Sequence, residues 1–326
     1  MSTKKGSILI LLGMFVSVSS HATNSLPGPL VESDWLAKNL QNVKVLDVRS
    51  DIKTFTSKPL YKKDKKTGRL SLVKVAGHIP GAILVDYKKI RADRVINGQK
   101  VQKIIPEKSI FEKVIQSAGV NQGDAVVIMS EGVSNLDMTM ATRLYWQMKY
   151  FGHDNMVILN GGMAGWLEAK QKISSAAVIS KPGNWRATTE RTELLASSED
   201  VANAIKNKGQ LVDTRPLNQY MGIFHKKSYV YAAGHIPSAK SYPNELMTEA
   251  KAPARILARD TLQVLMKEMG VDTGKPSIAY CNSGHLASGG WFILHELMGN
   301  KSTRLYDGSM HQWTLEKRPV ETLKRN

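Results

Sequence analysis

The sequence predicts an α/β protein of two tandem domains, each a mostly parallel sheet flanked by helices. Two observations support this fold class. Short apolar runs bounded by turn residues alternate with longer helical stretches, which is typical of buried parallel strands joined by helices. A set of short motifs also occurs twice, in the same order, in the two halves of the 326-residue chain. Repeat units this long indicate a duplicated domain rather than a solenoid.

Three motifs make up the repeat. With the first-half copy given first, they are LDVRS at 46–50 and VDTRP at 212–216, AGHIPGA at 76–82 and AGHIPSA at 233–239, and NGGMAGW at 160–166 and DGSMHQW at 307–313. The Asp-x-Arg pairs and the histidines His78 and His235 occur in both halves. We therefore expect the Asp and Arg side chains to form buried ion pairs that shape the fold, and the two histidines to fix turns.

The predicted strands and helices follow the same order in each half. The strands are 43–46, 125–129 and 157–159 in the first half, and 210–212, 276–280 and 303–306 in the second. Helical stretches between the strands include 138–151 and 286–298. A polar segment containing Pro182 and Gly183 is the natural linker. The resulting division is a first domain at 23–177, a linker at 178–192 and a second domain at 193–326.

Residues 1–22 are typical of a cleaved signal peptide, with two lysines, an apolar run at 8–18 and small residues around Ala22. The apolar run is shorter than the roughly 20 residues that a membrane-spanning helix needs. We therefore expect cleavage after Ala22, a periplasmic protein, and no membrane attachment of the mature chain.

The chain is basic, with a formal net charge of +17, and its 42% hydrophobic content argues against disorder. One local cluster contains Lys62, Lys63, Lys65, Lys66 and Arg69, and we expect it to be a solvated loop. Nucleic acid is not an expected partner, because an exported protein rarely meets any. The charge favours the attraction of small anionic substrates.

Cys281 is the only cysteine, so it is a buried inert residue, a cross-chain disulfide partner or a reactive thiol. It directly follows a predicted strand and precedes Asn282, Ser283 and Gly284 and then a helix. Ligands of open α/β sheets bind beyond the carboxyl ends of the strands. Backbone N–H groups and the start of a helix there favour a thiolate, which is the nucleophilic form. Cys281 is therefore a candidate nucleophile, with a core position as the alternative.

The ordered set of motifs resembles the rhodanese family, the sulfurtransferases that move sulfane sulfur through a cysteine persulfide. The resemblance covers nearly all of the mature chain in two copies. It implies that Cys281 is the catalytic residue and that the first domain is a non-catalytic copy, because Ser130 stands at the equivalent position. No base is evident near Ser130, and Glu131 adds negative charge where an anion would bind.

The loop after Cys281 also bears on the substrate. Related cysteine phosphatases need Cys-x5-Arg, and that position here is Ala287. The candidate substrate-binding residues are Asn282, Ser283, Gly284, His285, Leu286 and Gln219. The resemblance leads us to expect basic residues where Asn282 and Ser283 stand and an arginine where Gln219 stands, so the sulfur donor stays open. His285 either pairs with the thiolate or an anionic donor, or points to solvent. Scattered histidines and one cysteine predict no metal site.

The resemblance implies a sulfurtransferase that needs no cofactor. It would move sulfane sulfur from a small anionic donor, of the thiosulfate or 3-mercaptopyruvate type, to a thiol or cyanide acceptor through a Cys281 persulfide. One alternative is a non-catalytic persulfide carrier or binding module of the same fold, which the missing loop cations favour. A redox-sensing thiol is a third possibility.

Overall fold

A computed structural model describes residues 26–323 and shows two α/β domains in tandem. The predicted signal peptide, residues 1–22, lies outside the described residues. Among residues 26–323, no helix has the length and apolar character that crossing a membrane requires.

The first domain is built on a five-stranded parallel sheet. The strands of the whole first domain are β1 Leu30–Val31, β2 Lys44–Arg49, β3 Leu60–Lys63, β4 Leu70–Lys74, β5 Ile83–Asp86, β6 Ala92–Ile96, β7 Gln99–Ile104, β8 Val126–Met129 and β9 Met156–Leu159. Its helices are α1 Ser33–Asn39, α2 Lys108–Ser117, α3 Asn135–Tyr150 and α4 Gly162–Glu168. The sheet order is β1-β9-β8-β2-β5, and β3–β4 and β6–β7 form separate antiparallel hairpins.

The second domain repeats this plan with a four-stranded parallel sheet in the order β11-β10-β12-β13. Its strands are β10 Gln210–Asp213, β11 Lys240–Ser241, β12 Ser277–Tyr280 and β13 Arg304–Leu305. Its helices are α5 Ser198–Lys206, α6 Leu217–Tyr220, α7 Arg259–Glu268, α8 His285–Phe292 and α9 Ser309–Leu315. The predicted fold class is confirmed.

Two predicted helices differ from the observed ones at their ends. Helix α3 begins three residues before the predicted start, because the Ser134 hydroxyl caps it by accepting a hydrogen bond from the Asp137 N–H at 3.2 Å. Helix α8 continues from Ile293 to Leu297 as a π-helix rather than as α-helix to Met298. Side-chain periodicity over so few residues does not separate these two helix types.

The basic cluster at 62–69 is a hairpin and not the predicted loop. Lys62 and Lys63 lie in β3, which pairs with β4. The connecting turn is closed by Asp64, whose carboxylate accepts hydrogen bonds from the N–H groups of Lys66 and Thr67, each at 2.8 Å. The cluster is exposed, as predicted. Lysine at successive positions hides the alternating pattern by which a strand is recognised.

The two domains share one hydrophobic core. Helices α1 and α4 cover the outer face of the first sheet, and α5 and α9 cover the outer face of the second. The inner faces and the helices α2, α3, α7 and α8 contribute to a single cluster of buried residues. At its centre α3 packs against α8, where the Thr142 and Ser288 hydroxyls are hydrogen-bonded at 2.8 Å. A side chain at Gly289 would meet the Thr139 methyl group at 2.8 Å, so this glycine permits the close approach.

The Asp-x-Arg motifs form fully buried ion pairs in both domains, which confirms their predicted structural role. In each pair the arginine also binds the carbonyl of the glycine in the Gly-His-Ile-Pro motif. The histidines of that motif bond to backbone carbonyls, as expected of turn residues. The contacts are Arg49 to Asp47 at 2.6 Å, Arg215 to Asp213 at 2.5 Å, His78 to the Phe55 carbonyl at 2.9 Å and His235 to the Tyr220 carbonyl at 2.8 Å.

The segment between α4 and the second domain packs on the first domain. Residues 169–191 contain no helix or strand. The Trp185 N–H donates to the Val120 carbonyl at 3.1 Å, and Arg186 pairs with Glu112 at 3.2 Å. The predicted linker, residues 178–192, is therefore held along much of its length.

Candidate active site

Cys281 lies immediately after β12 and is only 1% exposed. Its N–H and the N–H of Gly284 both donate to the Ser309 hydroxyl oxygen, at 3.0 and 3.1 Å. Ser309 in turn donates to the Tyr306 carbonyl at 2.8 Å, and its φ of 51° is unusual for a residue other than glycine. The Ser309 hydroxyl oxygen therefore holds together the two ends of the loop, Cys281 and Gly284. This role was not predicted from the sequence. The sequence feature that could have indicated it is Ser309 in the motif DGSMHQW, where the first-half copy NGGMAGW has its second glycine, Gly162.

The middle of this loop presents open backbone donors. Among the described residues, no acceptor bonds to the N–H groups of Asn282 and Ser283. Successive N–H groups beside a helix start form a concave site that suits an anion. We refer to residues 281–284 as the cysteine loop.

Gln219 and Asn282, both predicted to bind substrate, contact each other. The Asn282 side-chain amide donates to the Gln219 side-chain oxygen at 2.7 Å, and both side chains are buried. The Asn282 side-chain oxygen is buried and has no partner among the described residues. Gln219 therefore positions Asn282, and the free oxygen of Asn282 is the polar group that this pair offers to the site.

An arginine of the first domain reaches the cysteine loop. Arg91 donates from Nη2 to the Ser283 carbonyl at 2.7 Å and to its hydroxyl at 2.9 Å. Its Nε donates to the Lys103 carbonyl at 3.0 Å, and its guanidinium lies 5.4 Å from the centre of the Tyr87 ring. A cation therefore stands at the loop although the loop sequence contains no lysine or arginine. Sequence spacing gave no signal for it, because 192 residues separate the two partners.

A second first-domain arginine is buried against the end of the loop. Arg143 pairs with Asp307 at 2.5 Å and donates to the Gly284 carbonyl at 3.2 Å. Burial opposes its charge, but Asp307 holds the pKa of Arg143 above its ordinary value. Gly284 has a φ of 71°, and a β-carbon there would overlap the Asp307 carboxylate. Gly284, predicted to bind substrate, instead makes the turn and leaves room for this ion pair.

His285 and Leu286 do not act as the sequence suggested. The His285 ring lies 4.8 Å from the Tyr87 ring between the domains, with its Nε2 buried. Burial, and then the charges of Arg91 and Arg143, lower the pKa of His285 well below its ordinary value. His285 is therefore neutral, so it neither points to solvent nor forms an ion pair with a thiolate. Leu286 packs against the shared core, because this turn of α8 faces α3 and not the loop.

In the first domain the equivalent loop is filled by its own carboxylate. Ser130 is 0% exposed, and its hydroxyl lies 3.5 Å from the Met138 sulfur. The Asp137 carboxylate accepts hydrogen bonds from the N–H groups of Gly132 and, at 3.2 Å, Val133. Burial, and then the charge of Glu131, raise the pKa of Asp137 to about 7. Asp137 lies where an external anion would bind. It was not among the residues predicted from the sequence.

Among the described residues, no group of three or more His, Cys, Asp or Glu side chains is arranged to hold a metal ion.

Comparison with known proteins gives the family. A model of the rhodanese-like domain matches residues 32–169 and 197–316. The chain is 28% identical to the sulfur carrier protein TtuD of Thermus thermophilus, with 88% of this chain and 94% of the relative covered. It is 29% identical to a Saccharopolyspora erythraea protein provisionally named a thiosulfate sulfurtransferase, with 87% and 92% covered.

The fold is also similar to that of a solved structure. The crystal structure of SseA from Escherichia coli, one of the 3-mercaptopyruvate sulfotransferases, has a TM-score of 0.67 and 26% identity, with 86% of this chain and 98% of SseA covered. Both matched domains and the shared architecture agree with the predicted resemblance. The chain therefore belongs to the rhodanese family, as a tandem-domain sulfurtransferase.

Proposed function

We propose that Cys281 carries the transferred sulfur as a persulfide, taken from a small anionic sulfur donor of the thiosulfate or 3-mercaptopyruvate type. The observation that carries the proposal is the contrast at the cysteine loop. Its Asn282 and Ser283 N–H groups have no acceptor among residues 26–323, while the matching donors of the first domain are bound by Asp137. A perthiolate on Cys281 would be the anion that these donors stabilise.

With thiosulfate the reaction balances in two steps. The Cys281 thiolate attacks the outer sulfur, a new sulfur–sulfur bond forms, and the bond of thiosulfate breaks so that sulfite leaves with the electron pair. An acceptor such as cyanide then attacks the outer sulfur of the perthiolate, gives thiocyanate and returns the thiolate. Neither step needs an external oxidant or reductant, so the proposed reaction requires no redox cofactor.

A steady-state assay of thiocyanate formation tests this proposal. Wild type should turn over many times with at least one of the two donors, and Cys281→Ser should lose turnover. Ser130→Ala is the matched control in the first domain and should keep wild-type activity. Full activity in Cys281→Ser, or loss of activity in Ser130→Ala with an unchanged thermal melt, would reject the assignment.

A persulfide carrier is the second candidate function. It is favoured by the burial of Cys281, which shields a bound sulfur from small acceptors, and by the similarity to a relative named as a sulfur carrier. A carrier would take up one sulfur per chain and release it only to a partner protein. A single stoichiometric burst of sulfite without further turnover, with cyanide and with small thiols, would favour the carrier over the enzyme.

Export to the periplasm is part of the proposal, on the basis of residues 1–22. Expression of the full chain in a Gram-negative host should give a periplasmic protein whose N-terminus begins after Ala22. An uncut cytoplasmic protein would reject it.

A further inference from the structure

We propose that the first domain recognises the sulfur donor: Arg91 and Lys103, together with Lys226 of the second domain, bind the anionic oxygen group at the end opposite its transferable sulfur. This inference rests on the proposed function for the identity of the ligand. It assigns the cation role that the cysteine loop lacks to Arg91 and Lys103, more than a hundred positions away across the domain interface, and to Lys226.

Arg91 is held in place with part of its guanidinium still available. Its Nε and Nη2 bind the Lys103 carbonyl and Ser283, and its ring contact with Tyr87 fixes the plane. Among the described residues, Nη1 donates no hydrogen bond, and the side chain is partly exposed. A planar guanidinium with a free edge is suited to a sulfonate or carboxylate group. The donors of the loop and the free edge of Arg91 thus meet at Ser283.

Lys103 extends the positive region on the first-domain side. Its ammonium group lies 4.3 Å from the centre of the Tyr229 ring. Burial raises the pKa of Tyr229, and so does the charge of Cys281, while a hydrogen bond with Ser283 and the charge of Arg91 lower it. The His311 N–H donates to the Asn282 carbonyl at 3.0 Å, and the His311 ring binds the Tyr229 carbonyl at 2.6 Å. Tyr229 therefore lies beside the cysteine loop, and Lys103 lies over its ring.

Lys226 completes the cluster from the second domain, because its carbonyl accepts a hydrogen bond from the N–H of Tyr229 at 3.0 Å, next to the ring that Lys103 covers. Burial, and then the positive charges of Arg91 and Lys226, lower the pKa of Lys103. The charges of Arg91, Arg143 and Lys226 also contribute to the lowered pKa of His285. The nearby acid Asp93 is engaged by Lys100 at 3.2 Å and by the Lys103 N–H at 3.1 Å. Three cations therefore converge beside the cysteine loop with little local negative charge to balance them, as an anion site requires.

The two ends of the sulfur donor would lie in different parts of the site. The transferable sulfur must reach Cys281, which is buried. The cations lie on the exposed side, because Lys103 and Lys226 are both exposed. A sulfonate or a carboxylate would satisfy this arrangement, so the shared ligand chemistry is a small oxyanion attached to a sulfane or thiol sulfur.

Calorimetric binding of thiosulfate and of 3-mercaptopyruvate to the Cys281→Ser protein tests the proposal without sulfur transfer. Adding Arg91→Gln should weaken binding of the preferred ligand about tenfold, as expected for loss of a charge-assisted hydrogen bond. Adding Lys103→Gln or Lys226→Gln should weaken it about threefold. The matched control is Arg69→Gln, an exposed arginine in the β3–β4 hairpin, which should leave binding unchanged.

Ser283→Ala separates recognition from loop positioning, because it removes a contact of Arg91 with the loop and keeps the cation. If Ser283→Ala weakens binding as much as Arg91→Gln, or if the Arg69 control weakens it as much as Lys103→Gln, the proposal is overturned. It is also overturned if neither ligand binds the Cys281→Ser protein.

The two proposals fail in different ways. If wild type does not load sulfur but the variants bind the ligands in the predicted order, the persulfide function is rejected and the anion site is kept. If sulfur loading at limiting donor concentration is as fast in Arg91→Gln, Lys103→Gln and Lys226→Gln as in wild type, the anion site is rejected and the persulfide function is kept.

Discussion

The loops that follow β8 and β12 occupy equivalent places in the two domains and differ in what lies inside them. Both begin at the end of a central strand, and the carbonyls of Ser130 and Cys281 accept the same backbone bond, from Met163 at 2.9 Å and Met310 at 3.0 Å. In the first loop the donors bind the Asp137 carboxylate. In the second they have no acceptor among the described residues, and the residue at the same helical position as Asp137 is Ala287.

This difference indicates how the duplicated domains divide their roles. The first loop is one residue longer, since residues 131–134 precede α3 and residues 282–284 precede α8. With its own carboxyl group in place, the first loop is a closed structural element. The first domain instead contributes Arg91 and Arg143 to the second loop. The copy without a cysteine therefore contributes side chains to the candidate active site and is not only a support for it.

The largest expected effect comes from making the second loop resemble the first. Ala287→Asp places a carboxylate at the third residue of α8, where it should bind the loop donors and repel the sulfur donor. We expect sulfur loading of Cys281 to slow by at least about a hundredfold, measured by the release of sulfite in a single turnover.

Ala287→Asn is the control of equal size without the charge, and it should retain more activity. A folded Ala287→Asp protein that loads sulfur at the wild-type rate would contradict the equivalence of the two loops.

A smaller effect is expected from Gly284→Ala, which has no counterpart in the first loop. The new methyl group meets the buried Arg143–Asp307 pair, and the positive φ is unfavourable for alanine. Together these should lower the free energy of unfolding by about 3 kcal/mol, as measured by denaturant titration. Gly299→Ala has a similar φ of 80° but open space around it, so it should cost about 1 kcal/mol. Equal losses in the two variants would show that the ion pair does not crowd Gly284.

The last prediction tests the first loop through pH. The pKa of Asp137 is about 7 in the folded protein, against 3.8 for a free aspartate. Between these values the unfolded chain has lost a proton that the folded protein keeps, so Asp137 reduces stability progressively as pH rises. Asp137→Asn lacks this titration and keeps an acceptor oxygen. Its stability relative to wild type should therefore rise by about 4 kcal/mol from pH 4 to pH 8 and then stay constant.

Thermal or denaturant unfolding of both proteins across that range measures the difference. A difference that is independent of pH would mean that Asp137 is ionised throughout and that the first loop binds it as an ordinary anion.

The sequence alone predicted the features that depend on local pattern. The duplicated α/β fold, the placement of Cys281 after a strand and the Asp-x-Arg ion pairs followed from periodicity and repetition. Arg91 and Arg143 could not be found in this way, because their contacts with the cysteine loop arise only when the first domain packs against the second. His285 was misjudged for the same reason, since its neutral state depends on burial against Tyr87. Asp137 was within reach, because it lies at the start of a helix after the Ser130 loop, where a carboxylate binds free N–H groups.

The central claim is that the second loop, and not the first, holds the transferred sulfur on Cys281. Mass spectrometry of the intact protein and of its peptides after incubation with thiosulfate, and with 3-mercaptopyruvate, tests it most directly. We expect a gain of one sulfur atom on the peptide that contains Cys281, removed by cyanide and absent in Cys281→Ser. A sulfur atom retained by Cys281→Ser, or no gain in wild type with either sulfur donor, would contradict it.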